Sequence, residues 1–143
     1  MAYPSDLSFA EWHLLKLLLP SPNAVGHPNR WPRKPIMDAI FYVVRTGCQW
    51  RYLPKDFPPW QTVYYHYRRW RQRGVWKRVN HALRALVRVQ GGREPEPSSA
   101  IIDSQSARTT EQGGPRGYDA GKKIKGRKRH ALVDTDGRAL LVE

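Results

Sequence analysis

Apolar residues recur at helical spacing through the first 90 positions and then give way to short runs. Phe9, Trp12, Leu15 and Leu19, with Leu18, stand three and four residues apart, which predicts a helix ending at Pro20. Ser8 and Glu11 have the spacing of a capping box at its start. The next stretch, PSPNAVGHPNRWPRK, carries too much Pro and Gly for regular structure. Pro35 suits the first turn of a second helix, with Ile36, Ile40, Val43 and Val44 along one face up to Gly47. WRYLP allows a short helical turn. A third helix opens after Pro59 and closes at Gly74, and a fourth runs from Val75 to about Gln90, burying Trp76, Val79, Leu83 and Leu86.

The pattern then changes. GGREPEPSS, residues 91–99, has the Gly, Pro and Ser of a linker. Ala100, Ile101 and Ile102 predict a short buried strand, with Asp103 where that strand leaves the core. Asp103 on these grounds either caps a turn or does chemistry. KKIKGRKRH follows as a basic, Gly-containing loop. HALVDTDGRALLVE predicts a hairpin, Ala131 to Val133 and Ala139 to Val142 around the DTDG turn. Three parts result: a helical domain over 1–90, a linker over 91–99, and the opening strands of an α/β domain over 100–143.

Composition narrows the partner. The 143 residues include 25 Lys and Arg against 12 Asp and Glu, a net charge of +13. A polyanion is the expected partner, and most often that is nucleic acid. With six Trp, seven Tyr and 40% hydrophobic residues, a packed core is expected. LLKLLL, residues 14–19, is far short of the roughly 20 apolar residues that span a bilayer. The start has no export signal, and the single Cys48 excludes an internal disulfide and a cysteine zinc site. These features predict a cytoplasmic, nucleoid-associated protein with no membrane partner.

On a helical wheel the third helix has two faces. Trp60, Val63, Tyr67 and Trp70 gather on one, with Tyr64 at its margin, and read as core. Gln61, Thr62, Tyr65, Arg68, Arg69, Gln72 and Arg73 gather on the other, and residues 61–75 contain no acid. These are the donors and acceptors that meet phosphates and base edges in duplex DNA. A basic helix after a short helix and a connection predicts a helix-turn-helix arrangement with this helix in the major groove.

Two long segments carry a resemblance. AIFYVVRTGCQWRYLPKDFPPWQTVYYHYRRWRQRGVWKRV and IIDSQSARTTEQGGPRGYDAGKKIKGRKRHALVDTDG together resemble the transposases of small bacterial insertion sequences, and most closely the insertion-sequence-5 family of DDE transposases. The resemblance implies a DNA-binding domain joined to a ribonuclease-H-like catalytic domain that cleaves and transfers DNA strands with Mg²⁺. It places the first of three catalytic carboxylates on Asp103, as a metal ligand. Two Mg²⁺ ions about 4 Å apart would activate and steady the exchanging oxygens. Lys122, Lys123, Lys125, Arg127, Lys128 and Arg129 would hold the DNA backbone beside them.

The family's second Asp and its Glu are expected beyond residue 143. Asp134 in the hairpin turn, Glu143 at the end and Asp119 in a loop do not match those motifs. Strand chemistry therefore requires completion by a C-terminal part, a second-frame polypeptide among the candidates, and homo-oligomerisation is a further possibility on DNA ends. The alternative is a non-catalytic regulator occupying the element's terminal inverted repeats. An RNA-binding accessory role fits the charge but leaves IIDSQS unexplained.

Overall fold

The computed structural model describes residues 3–21, 30–108 and 117–142, and within its strands the side chains at 103, 107, 129, 141 and 142 lie outside the described set. Most of the first loop, the TTEQGGPR segment and Glu143 are likewise outside it. Four helices come first: α1 (Phe9–Leu18), α2 (Arg33–Thr46), α3 (Trp60–Gln72) and α4 (Val75–Gln90), with a 3₁₀ turn at Trp50–Tyr52. Four strands follow: β1 (Ala100–Arg108), β2 (Gly117–Asp119), β3 (Ile124–Asp134) and β4 (Ala139–Val142). The chain forms two compact units, Met1–Val79 and Asn80–Glu143.

In the first unit, local sequence signals set the helix ends. Ser8 N–H donates to Glu11 Oε2 at 2.7 Å and Glu11 N–H donates to Ser8 Oγ at 3.3 Å, a complete capping box. Gly47 closes α2 at φ 69°, where a side chain would be strained. The core comprises Leu15, Leu19, Ile36, Met37, Ala39, Ile40, Val43, Phe57, Val63, Trp70, Val75 and Val79. Rings pack around it: Tyr3, Tyr42 and Phe57 form one cluster, and Trp70 meets Trp76 edge-on at 5.7 Å.

Three apolar positions depart from the predicted stripes. Phe9 is 78% exposed, Val44 68% and Leu86 47%, so none belongs to the core. Phe9, the first residue of α1, lies about a third of a turn around the helix from the buried Leu15. On α2 the inward arc runs from Ile36 through Met37 and Ala39 to Ile40 and Val43, which turns Val44 outward. On α4, beyond Val79, the inward positions are taken by Arg84 and Arg88 instead.

Those two arginines explain where the chain divides. The compositional break lies at 91–99, but the units part inside α4, after Val79. Asn80 and Arg84 donate to the Ala139 carbonyl at 2.9 and 3.5 Å, and Arg88 Nη1 reaches Asp134 Oδ2 at 3.1 Å. Polar anchors therefore tie the latter half of α4 to the β3–β4 hairpin.

The sheet is antiparallel and centred on β3, which pairs with β1 on one edge and with β2 and β4 on the other. The β3–β4 hairpin forms as its turn residues predict, with a register shift beside Leu132 and Val133. Two expectations fail here. KKIKGRKRH is not a loop, because from Ile124 onward it is the first half of β3. Asp103 does not stand at a strand exit, because β1 continues to Arg108 and Asp103 pairs with Ala131. Long-range pairing supplies the hydrogen bonds, so Lys, Arg and Gly enter the strand despite their low β preference. Ile101 and Ile102 are 54% and 74% exposed, and the predicted burial of that run is corrected accordingly.

Candidate nucleic-acid interface

The α3 face forms as the wheel predicts. Val63 and Trp70 are buried, while Gln61, Tyr65, Arg68, Gln72 and Arg73 are exposed and Thr62 and Arg69 are half-buried. Five of these seven, Tyr65, Arg68, Arg69, Gln72 and Arg73, line one shallow concavity of about 350 Å³. Their spacing of three and four residues stacks them along successive turns. Arg69 Nη1 donates to Tyr65 Oη at 2.9 Å. The tight connection of this region follows α3, at Arg73 and Gly74 (φ 65°), rather than preceding it. Before α3 the chain passes through the 3₁₀ turn and Leu53–Pro59, a longer path than the short connection expected of a helix-turn-helix.

His66 lies behind this face, a residue the wheel did not single out. It is buried and sits against the Tyr65 and Trp70 rings at centroid distances of 5.5 and 5.4 Å. Burial, and then the positive charges of Arg33 and Arg69, push its pKa down from the usual imidazole range. Arg33 therefore joins the electropositive region from the first turn of α2. No acid occurs between Asp56 and Glu94 to balance it.

The sheet separates the remaining candidates by strand parity. Neighbouring positions alternate faces, and paired positions on antiparallel strands share one. Position 103 therefore shares a face with 105 on β1 and with 127, 129 and 131 on β3. Tyr118 and Lys125, paired on β2 and β3, belong to that face too. Lys128 takes the opposite face with Ser106, while Lys122 and Lys123 occupy the β2–β3 turn. Of the six cations, the positions of Lys125, Arg127 and Arg129 thus fall on the face of position 103.

The opposite face centres on Asp119. It is not a loop acid, because it ends β2 and holds three elements together. Ser106 Oγ donates to Asp119 Oδ2 at 2.5 Å, Lys122 N–H to Asp119 Oδ1 at 3.1 Å, and Lys128 Nζ lies 3.5 Å from Oδ2. The Ser106 bond first, then the Lys122 N–H and the Lys128 charge, hold its pKa down at about 2. Lys122 Nζ also donates to the Ser104 carbonyl at 2.9 Å. Lys122 and Lys128 therefore have structural partners as well as charge.

Asp134 is fully buried and structural, as its place in the hairpin predicts. Burial acts to raise its pKa, but bonds from Arg138 N–H, Arg88 and Asp136 N–H outweigh that and hold it low. Among the described residues no three His, Cys, Asp or Glu side chains come together as a metal-binding group. Mg²⁺ favours several oxygen ligands at close to octahedral geometry, so these residues alone do not make its site. Nor, among the described residues, is any helix long and apolar enough to cross a membrane.

Comparison with known proteins identifies the family. The model described as a transposase of the IS4/5 family, DUF4096, matches residues 7–80, which include α1, α2, α3 and the start of α4. The transposase DDE domain model matches residues 94–142. The insertion element IS402 uncharacterized 16.2 kDa protein of Burkholderia cepacia is 31% identical over 108 residues, covering 71% of this chain and 72% of that protein. No solved structure gives a significant match. The chain belongs to the IS4/5 family of insertion-element transposases.

Proposed function

We propose that this chain binds duplex DNA in transposition through the exposed face of α3, with Asp103 serving as the first metal-binding carboxylate of a DDE set. The observation that carries the reading is the concavity of Tyr65, Arg68, Arg69, Gln72 and Arg73 on α3, within a stretch, 57–93, that has no acid. Three arginines converging with a Gln and a Tyr offer both phosphate and base-edge contacts. In a helix-turn-helix use of α2 and α3, the latter enters the major groove and leaves its aromatic side in the core.

For the second part, the support is the family and the register. Position 103 shares its face with three basic positions of β3, which suits an acid working beside a phosphodiester. A ribonuclease-H-like sheet is the reading proposed for β1 to β4. Ile101 and Ile102 lie on opposite faces of β1 and are both exposed, and β1 has no partner on its outer edge among the described residues. A strand apolar on both sides is suited to coverage on both sides, as in a completed α/β layer. Mg²⁺ is the proposed metal of that completed domain.

Arginine modification tests the binding reading. Phenylglyoxal treatment with and without duplex DNA, followed by mass spectrometry, should show DNA protecting Arg68 and Arg73. Protection confined to Arg127 and Arg129 would move the interface to the sheet and overturn the assignment to α3.

A further inference from the structure

Among the described contacts of the α3 face, Arg69 differs from its neighbours because another side chain of that face holds it. Its guanidinium is anchored to the residue one turn earlier, donating from Nη1 to Tyr65 Oη at 2.9 Å, with the carbon of the group 5.9 Å from the ring centre. Arg68 and Arg73 line the same concavity and are exposed, with no such side-chain partner among the described residues. Resting on the reading that this face meets duplex DNA, we propose that Tyr65 is a positioning residue that sets Arg69 to clamp a backbone phosphate. The pair would add affinity and register but no sequence discrimination.

A phosphate stands at nearly the same place in every duplex of regular geometry, so a pre-ordered cation suits it. The planar guanidinium fork can use one N–H on Tyr65 and still present others to a phosphate oxygen. Holding Arg69 in one rotamer before binding removes part of the entropy cost of immobilising a long side chain. The surroundings favour an anion as well. Arg33 stands close enough, together with Arg69, for both charges to act on the buried imidazole of His66. A phosphate at this point would offset like-charge repulsion between two helices.

The test uses the full chain, fluorescence anisotropy, and two duplexes. One is selected by the wild-type chain from a randomised pool, and the other is its scrambled counterpart. Tyr65→Phe, which removes only the hydroxyl, should weaken binding about threefold to tenfold, equally on both duplexes. Its salt dependence should match wild type because no charge is lost. Arg69→Ala should weaken both further and lower the slope of log affinity against log salt by about 0.9. In the Arg69→Ala background, Tyr65→Phe should change nothing.

Wild-type affinity in Tyr65→Phe would overturn the proposal, as would a loss confined to the selected duplex, which would make the hydroxyl a base contact. An equal loss with Arg69 already removed would do the same. Should Tyr65→Phe fail to fold, Arg69→Lys keeps the charge without the fork and should show the same uniform loss; wild-type binding in that variant would also overturn the pairing. A wild-type chain that binds neither duplex would defeat the DNA reading itself. Tight, salt-sensitive wild-type binding with a silent Tyr65→Phe would defeat only the clamp.

Discussion

His66 is the residue at which stability and the proposed interface meet. Its folded pKa is pushed below the ordinary value of 6.5 by burial and by Arg33 and Arg69. The unfolded chain therefore takes up a proton that the folded imidazole resists. The stabilising contribution is complete above about pH 6.5 and is lost as pH falls through the lower folded value. All six Trp residues lie between 12 and 76, so their fluorescence reports on the helical unit. Its melting midpoint should drop on acidification below about pH 6.5, and His66→Phe should flatten that dependence. Asp119 responds in a different window. Its carboxyl titrates at about 2, so its hold on Ser106 and Lys122 persists through mild acid and is lost as pH falls towards that value. Ser106→Ala removes the leading cause, and a carbon-detected NMR titration should then find the Asp119 carboxyl moved up towards the usual range.

At the scale of elements, stability follows short-range signals in the helices and long-range pairing in the sheet. Ser8→Ala should cost about 1 kcal/mol through loss of the α1 cap. Ile36→Ala, at a fully buried position of α2, should cost about 2–5 kcal/mol, while Val44→Ala on the exposed side should stay within about 0.5 kcal/mol. Denaturant unfolding followed by Trp fluorescence measures all three. The same contrast explains what could be read from the chain. The capping box, Pro59 before α3, Gly74 after it and the faces of α3 are local, and each was legible as residues. The first half of β3 was not, because Lys, Arg and Gly take strand conformation there through pairing with β2 and β1, which a local reading of the chain does not show. Arg84 and Arg88 were hidden for a similar reason. A helical wheel assigns the inward face to Leu86, and only the Ala139 carbonyl and the Asp134 carboxylate make it favourable to turn arginines inward.

For the whole molecule, the charge of +13 and its placement decide the reading. Three of the described acids are held in structural bonds: Asp38 accepts Leu7 N–H and Lys34, Asp134 accepts Arg88, and Asp119 ties the strands. The α3 concavity has none among its lining residues. Asp103→Asn should leave duplex binding at the wild-type level, since binding is assigned to the helical unit and position 103 to the sheet. The most direct test of that assignment is a salt titration of duplex binding by the wild-type chain and by Arg68→Ala/Arg69→Ala/Arg73→Ala. The wild-type affinity should fall linearly on logarithmic axes as salt rises, and the triple variant should bind more weakly with a slope smaller by about 2–3. An unchanged affinity and slope in the triple variant would contradict the account and place DNA binding elsewhere on the chain.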